Sequence, residues 1–207
     1  MTRALVVYCH PLEGSFTDAT RNSVISGLTR AGAEMRLNDL YADNFEPGYS
    51  TLDSATNRDG NTNRYGNTDP TTLSYVEDLA WGDTLILVYP TWWAGQPSML
   101  KGWIDRVWTR ASDPHQSGAT GHAPKRHNIK RLVAVTSHGS SKLINMIEGE
   151  AGKRTLTRYL RATCHWRTRS TWIALYSIDT STLAQREDFL RKIEHRISNL
   201  ARPTHLP

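Results

Sequence analysis

The run Asp83-Thr-Leu-Ile-Leu-Val-Tyr-Pro-Thr-Trp-Trp-Ala-Gly-Gln-Pro-Ser-Met-Leu-Lys-Gly-Trp-Ile-Asp-Arg-Val107 holds a strand, a loop and a helix in immediate succession. Asp83 to Tyr89 is the strongest strand signal in the chain, apolar without a break from Leu85 onward, and Pro90 ends it. Pro97 sits at the first turn of the helix, where a missing N–H costs nothing. Met99/Leu100, Trp103/Ile104 and Val107/Trp108 then repeat every four residues as one broad apolar stripe. A buried strand feeding directly into an amphipathic helix is the unit from which parallel sheets are wound.

The same alternation extends in both directions. Arg3 to Tyr8 is a short apolar run ending at His10-Pro11, and Ser15 to about Ala31 carries Ala19, Val24, Ile25 and Leu28 at helical spacing before Gly32 stops it. Glu34 to Leu40 reads as a second strand and Thr71 to Ala80 as a helix. Arg131 to Ser137 and Ser170 to Ile178 supply the fourth and fifth strands. Helices are expected over Lys142 to Leu160, weakened in the middle by Gly149 and Gly152, and around Phe189, Leu190, Ile193, Ile197 and Leu200. Residues 47–70 are loop by composition, long enough to suggest a functional excursion, and residues 110–130 are polar and irregular. With no internal repeat and no linker, residues 1–207 are expected to form one domain, an α/β, doubly wound, five-stranded parallel sheet flanked by helices.

Composition narrows the class without choosing a function. Of 207 residues, 38% are hydrophobic and 22% charged, too apolar and too weakly charged for a disordered chain. The longest apolar runs are a few residues, far short of the roughly 20 that a membrane-spanning helix needs. The start, Met1 to Tyr8 followed by Cys9-His10-Pro11, does not read as a signal peptide. Cys9 and Cys164 fit a reducing compartment, so a cytoplasmic location is expected. The net charge of +5 is uneven: residues 1–100 hold 6 Lys+Arg and 12 Asp+Glu, the remainder 19 and 8. Because the basic residues form no continuous run, nucleic acid is not the expected partner.

In a doubly wound sheet ligands bind beyond the carboxyl ends of the strands. Three loops leave there: His10 to Phe16, Pro90 to Gly95 and Ser137 to Ser141. The first enters a helix N-terminus, whose free amides attract a phosphate, with Ser15 and His10 as further donors. The second offers the indoles of Trp92 and Trp93 as flat surfaces for a polycyclic ring. The third offers small residues, with Ser137 and His138 as polar contacts. A phosphate grip beside an aromatic platform suits a nucleotide-like ligand with a flat heterocycle.

These residues carry a family resemblance. His10-Pro11 with Ser15-Phe16, Asp39-Leu40-Tyr41, and above all Tyr89 to Val107 resemble the NAD(P)H:quinone oxidoreductases, over Arg3 to about Gly139. The resemblance implies a flavodoxin-like fold, a tightly held FMN or FAD, NAD(P)H as hydride donor, a quinone-like acceptor and a homodimer with sites at the subunit interface. Carried over by position, it implies that His10, Ser15 and Phe16 hold the phosphate end of the flavin. Pro90, Thr91, Trp92 and Trp93 would line the ring system, and Thr136, Ser137, His138 and Gly139 its pyrimidine edge. The chain departs from the family at three points. The third loop has His138 before Gly139 where the family often has two glycines, Leu143 to Ala151 lacks the Tyr and His of mammalian members, and Ala94 replaces an aromatic. His138 is the candidate for stabilising charge on the reduced ring, as a group that titrates near neutrality.

A flavin-binding regulatory or electron-carrier subunit is the alternative function, and it would need a partner to turn over. Trp103 and Trp108 read as core or dimer interface, and Cys9 as a small core residue rather than a nucleophile. Asp113, His115, His122 and His127 match no compact metal-ligand spacing, so no metal is expected. No Gly-x-Ser-x-Gly elbow supports a hydrolase. Arg110, Lys125, Arg126, Lys130 and Arg131 are expected to flank the site loops, where they would meet phosphates of NADPH or an acidic acceptor; equally, they would form a solvated basic face.

Overall fold

A computed structural model describes residues 1–49, 69–111 and 128–202. Strands β1 (Arg3–Tyr8), β2 (Glu34–Asp39), β3 (Thr84–Pro90), β4 (Arg131–Ser137) and β5 (Arg169–Leu175) form one sheet in the order β2-β1-β3-β4-β5. All four pairings are parallel. Strand order reverses at β1 and β3, where Tyr8 pairs with Val88, so the loops leaving those two carboxyl ends diverge and open a crevice. The central β3 is buried along its whole length, whereas the edge strand β2 exposes Glu34 to Leu37.

Helices α1 (Phe16–Arg30) and α6 (Leu183–Ala201) cover one face of the sheet, over Ala4, Val6, Ile86, Val88, Val133 and Val135. They meet closely at Gly27, where a Cβ would lie 2.7 Å from the Glu194 carbonyl oxygen. The other face, with Leu5, Val7, Leu85, Leu87, Leu132 and Ala134, is covered chiefly by three helices. These are α2 (Pro70–Trp81), α3 and α5. α3 runs from Ser98–Trp103 through a π turn at Ile104–Trp108 to Thr109–Ala111, and α5 from Ala151–Arg154 into a π turn at Thr155–Leu160. Trp103 and Trp108 are buried in this second core, and Cys9 lies there too, its thiol pushed up to about 12 by burial.

Several boundaries differ from those expected. The helix predicted over Lys142 to Leu160 is two helices, α4 (Lys142–Ile147) and α5, because Gly149 and Glu150 both adopt positive φ, 87° and 48°, which no helix continues through. The fifth strand stops at Leu175, since Ser177 is left-handed (φ 55°) and a single 3₁₀ turn follows at Ile178–Thr180. Arg110 and Ala111 belong to the end of α3 and not to an irregular segment. Pro97 stands just outside α3 as its cap. Asp113, His115, His122 and His127, with most of the 47–70 loop, lie outside the described residues. Among the described residues no helix is long and apolar enough to cross a membrane.

Candidate functional site

The carboxyl ends of β1, β3 and β4 bring the three predicted loops together. After β1, Cys9 N still bonds Val88 O at 3.0 Å, holding the loop's exit against β3. Gly14 then takes φ 69°, a conformation that favours glycine, and turns the chain into α1. Ser15 caps that helix, its Oγ accepting from Asp18 N at 3.1 Å. At this N-terminus the first helical amides lack intrahelical partners and the helix dipole favours an anion. His10 Nδ1 lies 3.2 Å from both the backbone N and O of Leu12, contacts that hold the ring on the loop. Phe16 turns its ring away from the loop and packs on Phe189 at 6.1 Å. Beside this loop a cavity of about 530 Å³ is lined by Tyr8, His10, Asp18, Arg21 and Asp39, with Arg21 bridging Asp18 (2.5 Å) and Asp39 (3.5 Å).

After β3 the chain folds into a two-residue hairpin. Trp92 N donates to Gly95 O (3.1 Å) and Gly95 N to Trp92 O (3.0 Å), so Trp93 and Ala94 occupy the tip. Both have positive φ, 48° and 57°. That geometry normally takes Asn and Gly, and non-glycine residues there cost about 1–2 kcal/mol each. The turn is pinned from outside: Gly152 N donates to Ala94 O (2.9 Å) and Gln96 Nε2 to Gly152 O (2.9 Å). Trp92 is exposed (42%) with its ring 6.4 Å from that of His10, and Trp93 is fully exposed.

After β4, Ser137 O accepts from Thr91 N at 2.8 Å, joining the second and third loops. Thr136 and Thr91 bond through their hydroxyls at 2.9 Å, and Thr91 Oγ1 reaches His138 Nε2 at 3.4 Å. The His138 ring is buried, stacked on Tyr176 at 4.6 Å and 19°, and Nδ1 has no hydrogen-bond partner among the described residues. Burial pushes the His138 pKa below its usual value, partly opposed by Asn145 and Glu150, so the ring is neutral near pH 7. Thr91, Trp93, Ala94, His138, Gly139 and Asn145 line a second cavity of about 240 Å³.

All eleven residues expected at the site therefore lie on these three loops or at their strand ends, although Phe16 faces the α1–α6 junction. Lys130 and Arg131 do not flank the site. Arg131 is the first residue of β4, paired with Thr84 and Arg169, and the site lies beyond the last, about 20 Å away at the usual rise per strand residue. Arg110, at the far end of α3, lies away from it as well, and Lys125 and Arg126 fall outside the described residues. Two contributors were not foreseen. Tyr176 underlies His138, and Asn145 Nδ2 donates to Ser140 O, Ser140 Oγ and Ser141 O (3.4, 3.0 and 2.8 Å), fixing the third loop. The signal for Asn145 was available: it is the one polar residue inside the apolar run Leu143 to Ile147.

The chain belongs to the family whose model, described as the flavodoxin-like fold, matches residues 2–199. It is 27% identical over 158 residues to NAD(P)H dehydrogenase [quinone] 1 of Cavia porcellus, covering 70% of this chain and 57% of that one. It is 26% identical over 164 residues to the uncharacterized NAD(P)H oxidoreductase YcaK of Escherichia coli, covering 79% and 77%. The chain thus spans little more than half the length of the mammalian relatives it matches. Among solved structures, an NAD(P)H:quinone oxidoreductase from Methanothermobacter marburgensis superposes with TM-score 0.78 at 22% identity, covering 99% of both chains. An FMN-dependent NADH-azoreductase from Bacillus anthracis, in complex with FMN, superposes with TM-score 0.72 at 14% identity, covering 97% of this chain and 100% of that one.

Proposed function

We propose that the protein is a flavoprotein oxidoreductase, passing hydride from NAD(P)H through a bound FMN or FAD to a quinone-like acceptor. The observation that carries this reading is the convergence, within one crevice, of a capped helix N-terminus, an indole-bearing hairpin and a buried neutral histidine. The residues fit a flavin. The amides at the start of α1, with Ser15 and the His10 imidazole, suit its phosphate, and Phe16 backs that grip by anchoring α1 to α6. Pro90, Thr91, Trp92 and Trp93 suit the edge and face of the ring system. Thr136, Ser137, His138 and Gly139 suit its pyrimidine end. A flavin, when bound, supplies the two-electron hydride chemistry.

The chain's own residues then have three tasks. Ser15 and the α1 amides hold an anionic anchor, and the pinned hairpin keeps one stacking surface in place for donor and acceptor in turn. His138, neutral in its buried setting, takes up a proton as negative charge develops beside Thr91, while the Thr136–Thr91 hydroxyl pair holds its Nε2 edge toward that charge. A cavity of about 420 Å³ beside Phe189, bounded by Tyr176, Gln185 and Lys192, leaves room for the adenylate of FAD as well as for FMN alone.

The same reading makes the protein a cytoplasmic homodimer folded as one domain. Helix α4 supports the dimer: its buried side chain is the polar Asn145, while Leu143, Ile144, Met146 and Ile147 face outward close to the exposed Trp93. The experiment is the visible spectrum of the purified protein, followed by anaerobic NADPH or NADH and then menadione. Yellow protein that bleaches and recovers supports the proposal. Colourless protein that takes up neither FMN nor FAD overturns it.

A further inference from the structure

The basic residues displaced from the active site form a surface of their own. Residues 151–178 contain six Lys+Arg and no Asp or Glu. α5 starts beside the hairpin, where Gly152 meets Ala94, and runs back toward the amino ends of the strands, so its later residues gather at the pole opposite the site. Hydrogen bonds fix the cluster there. Arg169 N donates to Lys130 O (3.0 Å), Thr168 Oγ1 to Ile129 O (2.6 Å) and Arg161 Nε to Thr168 O (2.8 Å). Arg158, Arg161, Arg167, Arg169 and Lys130 are all exposed. Two large aromatics stand among them in water, Tyr159 (71% exposed) and Trp166 (67%), with the Arg167 guanidinium 4.6 Å from the Trp166 ring centroid. Asp83, whose carbonyl accepts from Lys130 N just before β3, keeps its carboxylate buried, accepting from Arg3 N and Thr84 Oγ1.

We propose that this pole is a docking surface for an anionic phospholipid bilayer. Charge complementarity gives the attraction, because polybasic surfaces bind anionic headgroups. Trp and Tyr beside Arg are the side chains that settle at the headgroup level, the ring toward the acyl boundary and the cation toward phosphate. A single-stranded nucleic acid would use the free faces of such rings for stacking, but one face of Trp166 already carries its own Arg167. Docking at this pole leaves the crevice pointing away from the bilayer, open to NAD(P)H. The inference is independent of the flavin reading.

The test is cosedimentation of the whole chain with vesicles of phosphatidylcholine, alone or with about 30% phosphatidylglycerol. Binding to the anionic vesicles only, weakened as salt rises from about 50 to 500 mM, is expected. Each basic residue at an anionic surface contributes about fivefold in partitioning, so the triple variant Arg158→Gln, Arg167→Gln, Arg169→Gln loses about 100-fold. A control that removes the same charge away from this pole, Lys101→Gln, Lys142→Gln, Arg191→Gln, keeps most of its binding, and Trp166→Ser weakens binding without any change of charge. Circular dichroism checks that each variant is folded. The proposal is overturned if wild type ignores anionic vesicles, if both triples lose binding equally, or if mixed-sequence RNA binds more tightly than vesicles at the same salt.

Discussion

Placing a methyl group at Gly102 tests the packing that sets the active-site helix. A Cβ there would lie 2.4 Å from both Pro47 Cβ and Pro47 O, and 2.5 Å from Pro47 Cα. Non-bonded carbons settle near 3.5–4 Å, so the segments must part by about 1 Å. Two of the three atoms are backbone and the third sits on a proline ring, so no rotamer change relieves the overlap. Overpacking costs about 1–3 kcal/mol, and a rigid neighbour puts this case near 3. Alanine returns about 1 kcal/mol over glycine inside a helix. Gly102→Ala is therefore expected to lose about 2 kcal/mol net. In urea, with a slope of about 2 kcal/mol/M, the midpoint falls by about 1 M at unchanged slope. Because α3 begins directly after the Trp92–Gly95 turn, flavin retention through gel filtration falls as well. A midpoint equal to wild type, or above it, refutes the reasoning.

Two further perturbations bear on single groups. His138→Ala is expected to lower turnover with quinone about 100-fold and to remove an inflection below the usual histidine value of 6.5; an unaltered pH profile contradicts the proposed role. Burial depresses the His138 pKa, so the wild type holds this contribution in full above 6.5 and loses it as pH falls through the folded-state value, a loss read as a melting-temperature difference that His138→Ala lacks. Asp69 caps α2, accepting from Thr71 N, Thr72 N and Thr72 Oγ1. Burial alone would raise its pKa, but these bonds outweigh burial and lower it. Asp69→Ala is expected to cost about 1 kcal/mol at neutral pH, less as acid protonates the wild-type carboxylate through its depressed pKa, while Asp69→Asn largely keeps the cap. Equal loss for the two variants in denaturant melts counts against the capping role.

The strands were readable because burial on both faces leaves an uninterrupted apolar run, as in Leu85 to Tyr89, and because Pro90 and Gly32 are unambiguous stops. The helix break at Gly149 was half visible: glycine weakens a helix wherever it stands, but only the positive φ that Gly149 and Glu150 both adopt ends one. The loops of the site followed from topology, since every strand's carboxyl end lies at the same pole. What could not be read was direction. Phe16 carries the family pattern yet turns toward Phe189, and Lys130 and Arg131 precede a strand whose length separates them from the site. Tyr176 was hidden because its contact with His138 joins two chain segments that no short-range pattern relates.

The Trp93–Ala94 turn has a consequence for how this sequence can drift. Glycine or asparagine at either position would relax the backbone, so folding by itself pulls the turn away from its present residues. Any retention of Trp93 there would have to be enforced by something other than folding. Among collections of randomised variants, selection for solubility alone should enrich glycine at Trp93 and Ala94, while selection for activity should hold Trp93 against that gradient. The turn is thus a place where the demands of the fold and of the chemistry can be separated by counting survivors.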